Sequence, residues 1–369
     1  MNFSFWENKE WFTNNDFVIV GSGIVGLNCA IQLRERFPLA KILILEKGLL
    51  PQGASTKNAG FACFGSASEL LSDLKTHTEE EVVQLVKQRW DGLQLLRSSL
   101  GDDAIDYQLK GGFELFNNQS FFEECKLQIP YLNKLLKPLF NENIFGLSEN
   151  KFNFHKIVPT YIVNYHEGQI NTGKMMAELL KKAYSLGIKI LNNVTVSSYS
   201  EDQEKVLIET SQGEISAKNI LFATNGFSKQ FLDQDIKPAR AQVLVTKPIK
   251  NLHVKGTFHL DEGFYYFRNI EDRILFGGGR NLDFKTEETT GFGQTELVQN
   301  KLEELLREVI LPNTKFEIDQ RWSGIMGVGN QKKAIVKQLS NRTYCGIRLG
   351  GMGVAIGSLI GKDLANLVD

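Results

Sequence analysis

Cysteine is sparse in this chain. Four occur in 369 residues, Cys29, Cys63, Cys125 and Cys345, and no two form a C-x-x-C pair. That spacing excludes a zinc ribbon, a dithiol centre of that type and a disulfide framework. Net charge is nearly absent as well: 43 acidic and 42 basic residues leave a formal charge of -1. Without a Lys/Arg cluster, no nucleic-acid partner is expected. No apolar run approaches the roughly 20 residues of a membrane span, so no transmembrane segment is expected. Residues 1–16 carry charges and aromatics but lack the apolar stretch of a signal peptide. A reduced, cytoplasmic protein is the expectation. His155, His253 and His259 show no metal-ligand spacing with one another or with acids, and no metal is expected.

What is present is enough apolar residue, 42%, to fill a sizeable core. Phe17-Val18-Ile19-Val20 is a short apolar run that stops at a glycine, as a strand buried on both faces does. An amphipathic helical pattern follows from Gly26 and ends before Pro38; a second apolar strand over residues 41–45 ends at Glu46. The order is that of a βαβ unit. Residues 68–100 read as helical with a break at 76–78, and a further helical stretch covers residues 121–136. Asn171 or Thr172 caps a good amphipathic helix that Gly187 ends. Residues 188–191, 194–196 and 219–223 return to parallel-sheet character. Residues 111–116, 158–165 and 243–278 alternate like strands of an antiparallel sheet with one open face.

The two textures interleave along the chain. The fold class expected is mixed α/β and α+β: a Rossmann-type nucleotide-binding domain with a parallel sheet, interleaved with a smaller antiparallel-sheet substrate domain. The first is assigned residues 1–75, 166–230 and 322–369, the second residues 76–165 and 231–321.

Gly21-Ser22-Gly23-Ile24-Val25-Gly26 fits G-x-G-x-x-G between a strand and a helix. Its glycines serve a tight turn, close approach of the backbone to a pyrophosphate, and helix–strand packing. The helix N-terminus behind them offers free N–H groups to phosphate. Glu46, followed by Lys47, ends the second strand, where an acid hydrogen-bonds an adenosine ribose. A dinucleotide is therefore expected, and the acid disfavours NADP.

Several further segments lie in a telling order: Gly53-Ala54-Ser55-Thr56-Lys57-Asn58-Ala59-Gly60-Phe61, Glu167-Gly-Gln-Ile-Asn171, Ala223-Thr224-Asn225-Gly226, Pro238-Ala-Arg-Ala-Gln242, Trp322-Ser-Gly-Ile-Met-Gly327 and Gly350-Gly-Met-Gly353. Together they resemble the D-amino-acid oxidase, glycine oxidase and D-amino-acid dehydrogenase superfamily over nearly the whole chain. The resemblance implies that FAD is the dinucleotide. It places Gly21, Ser22, Gly23, Ile24, Val25 and Gly26 at the pyrophosphate and Glu46 at the ribose. Ala54, Ser55, Thr56, Asn58, Ala59 and Gly60 run toward the flavin, with Ala223, Thr224 and Asn225 beside the site. Val194 meets the adenine, and Gly351, Met352, Gly353 and Val354 face the pyrimidine edge of the ring. There a helix N-terminus would stabilise the negative charge that develops on reduction.

The substrate side departs from the family. Met326 stands where glycine-oxidase-like members carry a carboxylate-gripping arginine, and Gly351, with Arg348 nearby, stands at the place of a second. The candidates left to meet substrate are Tyr266 and Arg268, which share a face of an alternating strand, Arg280 behind three glycines, and His166; Lys57 and Tyr265 are further ones. Arg240 is assigned a structural part. No cysteine stands around Met326, and Leu275 falls at the place of the family's oxygen-activating lysine. Both point to non-covalent FAD and an acceptor other than oxygen. The expected reaction is hydride removal from the carbon beside a neutral amine to flavin N5, giving an imine that hydrolyses. Its expected partners are a small-molecule substrate and an electron acceptor, oxygen or other. Rival readings are a 2-hydroxy-acid dehydrogenase, which needs a base such as His166, an oxidase of a modified tRNA base, and a flavin-bound binding protein without turnover.

Overall fold

A computed structural model describes residues 3–369. Two eight-stranded sheets organise it. In the first, Asn15–Val20 lies between Ile42–Leu45 and Gly213–Phe222, parallel to both, with Lys189–Leu191 beyond Ile42–Leu45. All four residues of Phe17-Val18-Ile19-Val20 are buried, because separate apolar clusters cover the two faces of this sheet. Thr343–Ile347 adds to Gly213–Phe222 in parallel. Residues 219–222 pair in parallel as expected, but Val196 does not. Val196–Glu201, Val206–Thr210 and the start of Gly213–Phe222 form an antiparallel meander on the sheet's edge, half exposed and accordingly polar at alternate positions.

The second sheet runs, in spatial order, Ile318–Val328, Lys237–Thr246, Arg273–Gly278, Tyr265–Ile270, Thr257–Leu260, Gly112–Leu115, Thr160–Asn164 and Phe145–Glu149. Its pairing is antiparallel except between Thr257–Leu260 and Gly112–Leu115. Alternation sorts its side chains. Phe258 pairs with Phe267 and their rings stack 4.6 Å apart in an aromatic core. The next pair, His259 with Tyr266, faces the opposite way. The strand Ile318–Val328 continues past the boundary drawn at residue 322 and stays paired with Lys237–Thr246 as far as Val328.

The helices Ile24–Arg36, Glu79–Leu100, Thr172–Ser185 and Gly353–Asn366 cover one face of the first sheet, while strands and loops, with Val196, Val206 and Ile208 among them, cover the other. The helical stretch after residue 67 divides as its sequence suggests. Ser66 and Thr78 each form a capping box, opening Ala67–Leu74 and Glu79–Leu100. The stretch over 121–136 becomes two helices, Gln119–Leu127 and Ile129–Phe140, the second started by Pro130 in its first turn. Ile24–Arg36 and Glu79–Leu100 both pack on the terminal helix Gly353–Asn366. The last crossing is close: a Cβ at Gly92 would stand 2.3 Å from Ala355 O. A small sheet of Phe61–Ala62, Gly168–Gln169 and Gln108–Leu109 ties segments that flank the two large sheets. No helix among the described residues is long and apolar enough to cross a membrane.

Candidate active site

A cavity of about 580 Å³ opens at the C-terminal end of Asn15–Val20 and extends to the inner face of the second sheet. It begins at the glycine turn. Gly21 adopts φ +104°, and a Cβ there would meet Ala223 O at 2.9 Å. A Cβ on Gly26 would fall 1.9 Å from Gly21 O, so this glycine is a packing requirement of the turn itself. Gly21, Gly23, Ile24 and Val25 line the cavity; Ser22 and Gly26 lie behind it. Glu46 is buried and held from four directions. Its Oε2 accepts from the Ser22 N–H (3.1 Å) and hydroxyl (2.7 Å), and its Oε1 from the N–H groups of Gly48 (3.0 Å) and Gln52 (3.3 Å). Ser22 thus orients the acid. Lys47 lines the same end, its Nζ 3.5 Å from the centre of the Phe227 ring, with Val194 nearby in the wall.

The segment 54–60 forms the next stretch of wall. Ser55 Oγ accepts from the Ile24 N–H at 3.0 Å, at the start of the helix that the glycine turn opens. Asn58 Oδ1 accepts from the Gly60 N–H and the Thr172 hydroxyl, both at 2.9 Å. Ala54, Ser55, Asn58, Ala59 and Gly60 face the cavity, whereas Thr56 turns its hydroxyl to Pro51 O (2.7 Å) and does not. Ala223, Thr224 and Asn225 line the wall opposite. Asn225 Oδ1 accepts from the N–H groups of Arg348 (3.0 Å) and Leu349 (3.2 Å), which fixes the approach to the terminal glycine turn. Gly351, Met352, Gly353 and Val354 close this end of the cavity, at the N-terminus of the terminal helix. The N–H groups of that first turn lie outside the helix's own ladder and are free to meet an anionic or carbonyl oxygen. A cradle of glycines, an anchored acid and a helix N-terminus in one continuous cavity fits a dinucleotide cofactor.

Beyond the cradle the cavity becomes a chamber walled by Phe61, His259, Tyr266, Met326 and Arg280. The Phe61 ring stands edge-on to both His259 (5.3 Å) and Tyr266 (5.7 Å). Burial pushes the Tyr266 phenol up to about 12, so it stays protonated. Arg280 keeps its guanidinium 4.7 Å from the Phe284 ring centre, and partial burial lowers its pKa from the usual arginine value.

Two of the four residues expected to meet substrate lie elsewhere. Arg268 is outside the cavity wall. Its Nε donates to Ala59 O, its Nη2 to Ile170 O (2.9 Å) and its Nη1 to Asn269 O (3.2 Å). It staples the 54–60 segment and the 167–171 turn to the second sheet, and it leaves no fork free for a ligand. Gly60 adopts φ +74°, and a Cβ there would strike Ile170 O and this guanidinium, so both conformation and space call for glycine. His166 also lies outside. It pairs with Glu142 at 3.1 Å and packs its ring against Trp90 and Phe140. Arg348, though in the wall, is spent on Asp235 (2.7 Å) and Lys333 O (3.0 Å). Lys57 lines the cavity, its carbonyl accepting from the Trp322 indole at 2.9 Å. Tyr265 points into the aromatic core instead. Arg240 is bound bidentately by Glu287 at 2.7 and 3.0 Å.

Two residues that pattern reading passed over stand in their place. His259 Nε2 lies 2.6 Å from Glu167 Oε1, and both are buried. Burial opposes the imidazolium, but the Glu167 charge and hydrogen bond outweigh it and push His259 up to about 9. Cys63 completes a trio whose ligand-type atoms lie within 4.8 Å of one another. Spacing could not reveal the pair, since the two residues are 92 positions apart. Burial, followed by the charges of Glu167 and Glu69, raises the Cys63 thiol well above its usual value. Arg89 is the second addition, a buried guanidinium in the chamber wall.

Known proteins agree with this architecture. Glycine oxidase from Geobacillus kaustophilus superimposes with a TM-score of 0.77 at 17% identity, covering 97% of this chain and 95% of that one. L-proline dehydrogenase from P. horikoshii gives 0.76 at 17% identity, covering 96% and 93%. A bifunctional ThiO/ThiG protein of Synechocystis is 21% identical over 65% of this chain; the match spans 34% of that longer protein's length. Residues 16–367 match the DAO family model, described as FAD dependent oxidoreductase, and the chain belongs to that family.

Proposed function

We propose that the protein oxidises a small amine or amino-acid-like substrate at its CH–NH bond, using FAD held without a covalent link. The observation that carries this reading is the continuity of one cavity, from the glycine turn and Glu46 to a chamber walled by Phe61, His259, Tyr266 and Met326. Gly21, Gly23 and Ser55 would hold the pyrophosphate, Glu46 the ribose, and the first turn of the terminal helix the pyrimidine edge. Bound there, FAD supplies the acceptor for a hydride from the carbon beside the amine.

The chain's own residues bind, orient and exclude water. Phe61, Tyr266 and Met326 offer apolar and aromatic surface to the substrate body. First-turn N–H groups at Gly353 and Val354 would stabilise negative charge on the bound cofactor. Cys63 is held as a neutral thiol, a weak nucleophile, which supports a non-covalent cofactor. His259 bears on the choice of substrate. With its pKa near 9 it is protonated at neutral pH and serves as a donor and a positive charge, not as a base. A 2-hydroxy acid would need a base to take its hydroxyl proton; a neutral amine would not.

The test is the visible spectrum of FAD-loaded protein under anaerobic conditions, with amino acids of both hands, sarcosine, glycine, polyamine derivatives and 2-hydroxy acids. Bleaching by an amine supports the reading. Bleaching by hydroxy acids alone overturns it, as does a flavin that no amine in the panel reduces.

A further inference from the structure

Arg89 presents a problem of charge that the protein itself does not solve. It lies on the helix Glu79–Leu100 and is 4% exposed. Its Nη1 donates to Phe64 O at 2.7 Å, and its Nε has no hydrogen-bond partner. No carboxylate oxygen among the described residues comes within 4.0 Å of its guanidinium. The acids whose charge reaches it stand farther off: Glu69 accepts from the Ser66 N–H at 2.9 Å, and Asp73 pairs with Lys332 through one oxygen, its other oxygen being buried without a hydrogen-bond partner. Removing a guanidinium from water without a counter-charge is strongly unfavourable, and buried charges in folded proteins are paired. Here the missing partner has a place to come from, since Arg89 lines the chamber.

The helix delivers it there by design of its buried face. Val82, Val86, Arg89, Leu93 and Leu96 follow helical spacing, and all are buried. Gly92, one turn beyond Arg89, allows the close crossing onto Ala355 of the terminal helix. Arg89, one turn earlier on that face, lies beside Phe64 and Gly65 and lines the same cavity as Gly351 and Met352. Gly65 leaves room for it: a Cβ there would stand 3.3 Å from Arg89 Nη1. Arg280, by contrast, is part exposed and solvent can balance its charge.

We propose that Arg89 is the residue that binds the substrate's carboxylate, so that this enzyme takes an amino acid, with its acid group anchored from the helix Glu79–Leu100 and not from the positions of Met326 or Gly351. This rests on the amine-oxidising reading of the same chamber. A guanidinium fork grips a carboxylate through two parallel hydrogen bonds and fixes its orientation, which a lysine ammonium does not reproduce. It thereby also fixes which hydrogen of the substrate points toward the flavin.

The experiment is calorimetric titration of the FAD-loaded protein with pyrrole-2-carboxylate and with its neutral amide, pyrrole-2-carboxamide. The wild type is expected to bind the carboxylate, and the amide at least about 10-fold more weakly. R89K is expected to weaken the carboxylate about 10-fold and R89M about 100-fold, with the affinity for the amide unchanged in both. Equal affinity of the wild type for the two ligands overturns the proposal without any variant. So does R89K or R89M that binds the carboxylate within 2-fold of the wild type, which would make Arg89 a structural cation balanced by Glu69 and Asp73. If R89M does not fold, R89K and the amide comparison decide. The titration reads binding and not turnover, so a flavin that no amine reduces would defeat the oxidation reading while leaving this result visible.

Discussion

Glu167 and His259 meet at 2.6 Å in the interior, 92 positions apart in the chain, with one oxygen of the carboxylate left without a partner. The pair sits where the 167–171 turn passes behind the second sheet, and a Cβ on Gly112 of that sheet would collide with the Glu167 carboxyl at 2.3 Å. His259 carries this buried charge into the chamber wall, beside Tyr266 and Phe61.

Stability should depend on pH through this pair. The folded-state pKa of His259, about 9, lies above its ordinary 6.5. The stabilisation is therefore complete below about pH 6.5 and is lost as pH rises through about 9. Denaturant unfolding of wild type and H259Q at pH 6, 7.5 and 9.5 (roughly spanning that window) should show a difference on the order of a few kcal/mol that shrinks at the top of the range. A difference that stays constant across the series would refute the ion pair. In E167Q, only the farther charges of Glu69 and Glu114 still oppose the effect of burial on His259, and the basic limb of a pH–rate profile should move to lower pH.

Cofactor affinity should be separable from folding at the glycine turn. A methyl group at Gly23 would stand 2.8 Å from Ser55 Oγ, which must then leave the Ile24 N–H. G23A is expected to fold with an unchanged far-ultraviolet spectrum and to bind FAD at least about 10-fold more weakly by fluorescence quenching. G26A, whose Cβ has no space against Gly21 O, should instead lose stability. Equal FAD affinity in G23A and wild type would remove the turn from the binding site.

Arg268 and Arg280 should part company in kinetics. R268M leaves three carbonyl oxygens without their donor and loosens the segment that carries Ala59. It should lower the melting temperature, cost about 2–5 kcal/mol and weaken FAD binding, while the holoenzyme that remains keeps its substrate KM. R280M should do the opposite: a raised KM at nearly normal stability. A raised KM in R268M with no loss of stability would return Arg268 to the substrate.

The Tyr266 ring can be moved without touching Tyr266. A Cβ on Gly277 would lie 2.6 Å from its Cε2. G277A should therefore displace the ring from Phe61 and lower kcat/KM by about 10-fold for the best amine, with FAD content preserved. Unaltered kinetics would show that the ring packs without positioning anything.

Local pattern alone determined the nucleotide half of this protein. An apolar run ending at Gly21, a helix behind it and an acid at the end of the next strand lie within about 30 residues, and each is a short-range requirement of backbone geometry. Val18 and Leu43 are buried in register as that pattern demands. Alternation likewise told which residues share a face, placing Tyr266 and Phe267 on opposite sides of their strand. What alternation could not tell was how far along a face the cavity reaches: Tyr266 enters it, and Arg268, two residues on, is taken by the carbonyls of Ala59 and Ile170. Only the tertiary structure decided the substrate half. His259 is an ordinary histidine until the sheet brings it to Glu167, and Arg89 is one basic residue on a charged helix until the fold buries it beside Phe64 and Gly65. Charge at such sites is set by what long-range packing removes from water, and no spacing within one segment records that.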